Sequence, residues 1–241
     1  HESGKVLVQS KAFLAAIEQY GVKSDRIAYL PNSVEPFYKP NNSGQGLKEM
    51  SGLAQGFRIM FAGNMGAAQD FGTILAACEK LKKYRDIHWI FIGDGRMRPW
   101  VEEQVKKRGL LNSVHLLGRF PPEEMPKFFA QADIMLVTLK DQPIFCLTVP
   151  AKVQSYLACA KPIIAALNGE GARIIAEARA GLVSPAEDSA ALADAVLQAY
   201  HLPKAEIDLM GLNGKKYFDE NFSREMLLSN LDNLILQMVK N

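Results

Sequence analysis

The sequence predicts an α/β fold in which a doubly wound parallel sheet carries helices on both faces. Two observations lead there. From about Phe57 onward, short apolar runs of strand length alternate with segments of helical period, the pattern of a parallel sheet covered on both sides. Glycine-rich loops then follow the predicted strands, at Gly63–Gly66, Gly93–Gly95, Gly118 and Gly169–Gly171. Such sheets bind ligands outside the C-terminal ends of their strands, where these loops fall, so the fold is expected to be Rossmann-like.

Taken in order, Lys5–Gln9 is a short apolar strand. Ser10 is expected to cap the helix that carries Phe13, Leu14, Ile17 and Tyr20 and stops at Gly21. Ile27–Leu30 reads as a strand, and the Pro-, Asn- and Gly-rich stretch Pro31–Gly46 as a linker. The regular pattern follows: strand Phe57–Ala62, helix Phe71–Leu81, strand His88–Ile92, helix Pro99–Arg108, strand Val114–Leu117, helix Pro126–Ala132 and strand Ile134–Leu139. Pro150 is placed to open a helix at the position that needs no N–H, with Val153, Tyr156, Leu157 and Ala160 at helical spacing and Pro162 ending it. PIIAA is the next strand. A helix near Ala172–Arg179, a short strand Leu182–Ser184 and a helix near Ala190–Tyr200 come next, and two further helices, Ala205–Glu220 and Arg224–Val239, close the chain.

Composition narrows the function classes. The chain has 241 residues, which admits one large domain or two small ones. A net charge of +2 gives no nucleic-acid footprint. Three cysteines, Cys78, Cys146 and Cys159, show no metal-type spacing and point to a reducing compartment. No apolar run approaches a membrane span. The missing Met and the immediate strand pattern suggest an excised or processed piece that lacks an N-terminal part.

The chemistry is that of phosphate and sugar binding. Gly63 and Gly66 in AGNMG would let a ligand's phosphates approach the backbone. The predicted helix start after Val149 presents free N–H groups and the positive end of a dipole. Lys152 in that first turn opposes the dipole, and an anionic ligand would reconcile the two; a solvated surface lysine would also fit, at a small penalty. The spacing departs from G-x-G-x-x-G, and neither a P-loop nor a G-x-S-x-G motif occurs. The four histidines are scattered, and His88 and His115 at strand starts read as structural.

The ordered motifs FAGNMGAAQDF, IGDGRMR, VHLLGRFPPEEMPKFFAQADIMLV, VPAKVQSYLACAKPIIAA and GLVSP resemble the C-terminal half of a GT-B retaining glycosyltransferase, in the large group that includes glycogen synthases and bacterial polysaccharide enzymes. The resemblance covers nearly the whole chain. GNMGAAQ with TVPAKVQSYLA is more narrowly similar to transferases of N-acetylfucosamine and related sugars in O-antigen and capsule assembly. The resemblance implies residues 1–46 as the end of a preceding domain and linker, and residues 47–241 as the nucleotide-sugar donor-binding domain. It implies no metal or cofactor, a donor that is most simply a UDP-sugar, and an acceptor glycan or lipid-linked glycan bound by a missing N-terminal domain. On this resemblance Gly63, Asn64, Gly66 and Gly93 lie near the diphosphate or donor sugar and Arg119 near the base. Leu147, Thr148 and Val149 offer backbone N–H groups to the diphosphate, and Lys152 is the catalytic cation. The expected location is the cytoplasm, with peripheral placement at the inner face of the membrane admitted.

The departures from the family pattern bear on affinity and activity. Many members carry two glutamates, seven residues between them, around this helix; the places hold Leu147 and Ser155 here. Ser155 or Gln154 is left to make a neutral hydrogen bond to the ribose. The usual Arg and Lys of the first glycine loop fall near Asn64 and Gln69, both uncharged. Two alternatives therefore stay open: a nucleotide-sugar epimerase of GT-B fold, with Asp94 and Glu170 as its few carboxylate candidates, and an inactive nucleotide-sugar-binding module. The apolar stripe Met226, Leu227, Leu231, Leu234, Ile235 and Met238 gives a further expectation, self-association of the fragment.

Overall fold

A computed structural model describes residues 4–41 and 47–239. The expected linker runs in part through residues 42–46, which lie outside the described residues. A small parallel sheet comes first, from β1 (Val6–Val8) and β2 (Ile27–Tyr29) with helix α1 (Ala12–Glu18) between them. The main body then alternates: β3 (Phe57–Ala62), α2 (Phe71–Lys80), β4 (Ile87–Ile92), α3 (Arg98–Lys107), β5 (Val114–Gly118), α4 (Met125–Ala130) and β6 (Ile134–Thr138). After the short α5 (Pro143–Cys146) come α6 (Ala151–Ala158), β7 (Ile163–Ala166), α7 (Glu170–Glu177), β8 (Gly181–Ser184), α8 (Ser189–His201), α9 (Lys204–Asn221) and α10 (Arg224–Val239).

The six main strands are all parallel and lie in the order β5-β4-β3-β6-β7-β8. Side-chain alternation splits the core into two layers. Met60, Ile90 and Met135 point toward one, with Phe128, Val153, Tyr156 and Leu157 from α4 and α6. Ile59, Phe61, Trp89 and Leu136 point to the other, with Ile74, Val101 and Val196 from α2, α3 and α8. Strands buried on both faces need continuous apolar runs, which is how FRIMFA and HWIFI read.

Two expected helix starts are corrected. Ser10 does not cap α1: the N-cap position is Lys11, with no side-chain cap, and the buried Ser10 hydroxyl donates to the Leu147 carbonyl instead. Pro150 is the N-cap of α6, so Ala151 opens that helix. Asp188 does cap α8, its carboxylate accepting from the Ala190 and Ala191 amides. His88 and His115 meet at 3.3 Å, Nδ1 to Nε2, toward the N-terminal ends of β4 and β5 and away from the glycine loops. Burial first, and the neighbouring His88 second, lower the His115 pKa.

The C-terminal helices α9 and α10 extend the body. Gly211 and Gly214 let α9 come close to α6; a Cβ on Gly211 would stand 2.2 Å from the Ala160 carbonyl oxygen. On α10 only Leu227 is buried, while Leu228, Ile235, Leu236, Met238 and Val239 are exposed.

Candidate active site

Strand β3 has β4 on one side and β6 on the other, so the chain reverses its direction of winding at the C-terminal end of β3. Ligands of open α/β sheets bind at such a point. A cleft of about 840 Å³ opens there. One group of lining residues is polar: Gly63, Asn64, Gly93, Asp94, Arg96 and Lys152. A second group is largely apolar: Tyr38, Phe120, Pro122, Met125 and Phe129. Arg119 and Ser155 also line the cleft.

The glycine loops are stacked on one another. The Gly63 amide donates to the Ile92 carbonyl at 2.9 Å, and the Gly93 amide to the Gly118 carbonyl at 2.7 Å. At Gly93 φ is +134°, and a Cβ would lie 1.9 Å from the Gly63 carbonyl oxygen. Glycine there serves loop-on-loop packing before any ligand arrives. At Gly63 the nearest neighbour of a Cβ would be Lys152 Cε, at 2.7 Å, so the missing side chain leaves room for the lysine. The Gly169 loop packs against the Cys146 backbone and does not line the cleft.

Lys152 is held at the base of the cleft. Its ammonium donates to Gln69 Oε1 and lies 4.3 Å from the centroid of the Phe61 ring. No carboxylate pairs with it among the described residues. Desolvation pulls its pKa down to about 7. Helix α6, which carries it, is fixed to the end of β3 by Tyr156, whose buried hydroxyl accepts from the Ala62 amide at 3.1 Å and donates to the Ala62 carbonyl at 3.2 Å. An unpaired cation beside a helix N-terminus is an arrangement that takes an anion.

Six of the sequence-predicted site residues thus share one cleft: Gly63, Asn64, Gly93, Arg119, Lys152 and Ser155. Gly66, Leu147, Thr148, Val149 and Gln154 are not among its lining residues. The Thr148 amide donates to the Phe145 carbonyl at 3.1 Å and its hydroxyl to the Ile144 carbonyl at 2.7 Å, so a phosphate would have to displace the first of these bonds to use that N–H. The Leu147 carbonyl is engaged by Ser10. Gln154 is 1% exposed and directs Nε2 to the Asn32 carbonyl at 2.6 Å. Sequence reading missed Tyr38, Arg96, Phe120 and Phe129. The loop IGDGRMR offered a signal for Arg96; nothing local marked Tyr38.

No cluster of three His, Cys, Asp or Glu side chains able to hold a metal occurs among the described residues. No helix among them is long and apolar enough to cross a membrane. Of the two carboxylates considered for epimerase chemistry, Asp94 lines the cleft, with Oδ1 accepting from the Gly95 amide, while Glu170 is bound by Arg173 at 2.9 and 3.1 Å.

The fold is that of the C-terminal domain of GT-B glycosyltransferases. The chain superimposes on a glycosyltransferase from Rickettsia africae with a TM-score of 0.82 at 17% identity, covering 98% of this chain and 64% of that one. It superimposes on Anabaena HepE, solved with UDP and glucose, with a TM-score of 0.78 at 19% identity, covering 97% and 63%. The sequence matches the family described as glycosyl transferases group 1 over residues 56–201, and the chain belongs to that family. Among curated proteins it is 27% identical over 140 residues to an uncharacterized glycosyltransferase of Methanocaldococcus jannaschii, covering 58% of this chain and 38% of that protein. It is 24% identical over 152 residues to the alpha-D-kanosaminyltransferase of Streptomyces kanamyceticus, covering 62% and 38%. The matches span less than two thirds of each of these four proteins.

Proposed function

We propose that this chain is the donor-binding part of a glycosyltransferase that takes its sugar from a nucleotide-sugar, with uridine diphosphate as the leaving group. The observation that carries the reading is Lys152: a desolvated ammonium with no carboxylate partner among the described residues, beside the start of α6, in the cleft where the sheet changes winding. As the glycosidic bond of the donor breaks, the departing diphosphate gains negative charge. A lysine, a helix N-terminus and the backbone of the Gly63 loop, fixed in advance, stabilise that charge. UDP in the Anabaena HepE structure supports the choice of base.

In the same reading residues 1–46 end a preceding domain and residues 47–241 form the donor domain. The acceptor, a polysaccharide or lipid-linked glycan, belongs to a further domain, and this chain alone does not turn it over. A location at the inner face of the membrane and a role in O-antigen or capsule assembly, with an N-acetylated deoxysugar as donor, follow from the motif resemblance. The exposed apolar side of α10 supports self-association of the chain. An epimerase is less well supported, because Glu170 is neutralised by Arg173.

Calorimetric titration with UDP, GDP, ADP and CDP tests the reading. One of them binds, and Lys152→Ala weakens that binding by ~1–3 kcal/mol, the range of a charge-assisted hydrogen bond, with melting nearly unchanged. Equal affinity of the variant would remove Lys152 from the site.

A further inference from the structure

The ammonium of Lys152 rests on two neutral supports, and both are held firmly by the body. One is the ring of Phe61, 4.3 Å away, which is fully buried and meets Phe71 and Phe91 edge to face at 5.1 and 6.2 Å. The other is Gln69, whose Oε1 accepts from the ammonium across 83 positions of sequence. A lysine offers only donors, so the amide turns its oxygen toward it. Gln69 ends the turn Ala67–Gln69, which its own amide closes on the Gly66 carbonyl at 3.1 Å. That turn is pinned to the end of β6. The buried Thr138 hydroxyl donates to the Gln69 carbonyl, and the Lys140 amide to the Ala68 carbonyl at 3.0 Å.

A carboxylate in the place of Gln69 would grip the lysine more tightly but cancel its charge. An amide oxygen and a ring face attract the cation without neutralising it, so its full charge stays available to a ligand. A lysine loose in a cleft also has many rotamers to lose when it grips an anion. Here the side chain is already fixed, with its Cε in the space that the missing Cβ of Gly63 leaves. Gln69 itself is not among the residues that line the cleft, whereas Lys152 is. The cleft's other charged side chains, Asp94, Arg96 and Arg119, come from the Gly93 and Gly118 loops.

We infer that Gln69 is a positioning residue: together with Phe61 it fixes the Lys152 ammonium in the cleft while leaving its charge uncompensated for an anionic ligand. The inference rests on the reading of the cleft as a diphosphate site. Gln69 acts through Lys152 and does not touch the ligand. Its neutrality matters as much as its reach, and that sets it apart from a residue that only packs.

The test compares the 241-residue chain with Gln69→Leu, Gln69→Glu, Lys152→Ala and the double variant Gln69→Leu with Lys152→Ala. Calorimetry is run with the tightest-binding diphosphate of UDP, GDP, ADP and CDP, from about pH 6.5 to about pH 9, the range in which the buried ammonium, with a pKa of about 7, loses its proton. Gln69→Leu should bind about three- to tenfold more weakly while Lys152 is present, and change affinity less than about twofold in the Lys152→Ala background. Gln69→Glu should bind about ten- to hundredfold more weakly at the acid end, although it melts no earlier. Its carboxylate raises the lysine's pKa, so its affinity should stay level between pH 7 and pH 9, where that of the unsubstituted chain declines. An equal loss from Gln69→Leu in both backgrounds puts Gln69 on the ligand and overturns the inference. Unchanged affinity in Gln69→Leu, or an unmoved decline in Gln69→Glu, overturns it too, and in each case the nucleotide reading stands. Should Gln69→Leu melt early, the profile of Gln69→Glu decides: a level profile supports the inference and an unmoved decline refutes it. If no nucleoside diphosphate binds, or Lys152→Ala binds as tightly as the unsubstituted chain, the reading of the cleft fails and this inference with it.

Discussion

Strands β1 and β3 are both short apolar runs in parallel sheets, but they are held in different ways. In β3, Ile59, Met60 and Phe61 are fully buried between two helical layers. In β1, Val8 is buried while Leu7 is 45% exposed, and β2 is its one strand partner among the described residues. A two-stranded sheet is marginal by itself. The small sheet and its following segment are tied to the body by polar contacts, Ser10 to Leu147, Gln154 to Asn32, Ser33 to Phe222 and Arg224 to Glu35, and by Val34 and Tyr38, partly buried against its core. Full burial fixes the body, and partial burial with hydrogen bonds sets the position of the N-terminal segment against it. Two of those ties end on α6 or on the loop that leads into it, so the difference bears on the site.

The body should be broken most severely where backbones touch. Gly211→Val pushes a branched side chain into the Ala160 carbonyl and should cost ~2–4 kcal/mol of stability in urea unfolding. A loss under ~1 kcal/mol would mean that α9 is as loosely attached as α1.

The pH dependence of binding probes the seam between the two regions. Lys152 has a pKa of about 7 in the free protein, and a bound diphosphate raises it. Affinity should therefore be undiminished by this group below pH 7 and fall by up to tenfold per unit above it, until the pKa of the complex is reached. Lys152→Ala should flatten that decline. Folding stability runs the other way. The folded pKa lies below the unfolded one, so the unfolded chain holds more protons above pH 7, and this group's destabilising effect fades as pH rises toward the ordinary lysine range. A flat binding profile from pH 7 to pH 9 would place the ammonium away from the ligand's charge.

Cutting a tie is a smaller change. Gln154→Leu should cost ~0.5–1.5 kcal/mol, because the freed Asn32 carbonyl can return to water. Its larger effect should be on amide exchange in the Pro31–Pro40 segment, measured by mass spectrometry. Exchange as slow as in the unsubstituted chain would mean that burial, not Gln154, positions the segment.

The smallest effect belongs to α10. Ile235 is 49% exposed, and Ile235→Asp should change stability by less than ~0.5 kcal/mol while weakening self-association in sedimentation runs at several concentrations. A loss of more than ~2 kcal/mol would make the stripe ordinary core.

Strands and helices of the body were legible because each repeats its own period over several residues. The four-residue α5, Pro143–Cys146, has no period to show and was not foreseen. Gly63, Gly93 and Lys152 could be placed in one site because a general rule puts strand C-termini together. Tyr38 could not, since its place in the cleft depends on a turn and on ties to residues more than a hundred positions away. Ser10 looked like a cap because caps are local. The tertiary acceptor that claimed it, the Leu147 carbonyl, leaves no mark in the neighbouring sequence.

Helix α6 can be viewed as a beam clamped along its length. Its final turn is pressed between the sheet and the glycines of α9, and Tyr156 rivets it to Ala62. In the first turn Val153 is sunk in the core and Gln154 is fastened to the Asn32 carbonyl, so Lys152 leaves a fixed base. The cation is aimed by the helix as a whole, and an inserted or deleted residue near Ala160 would turn it away without touching any atom of the site.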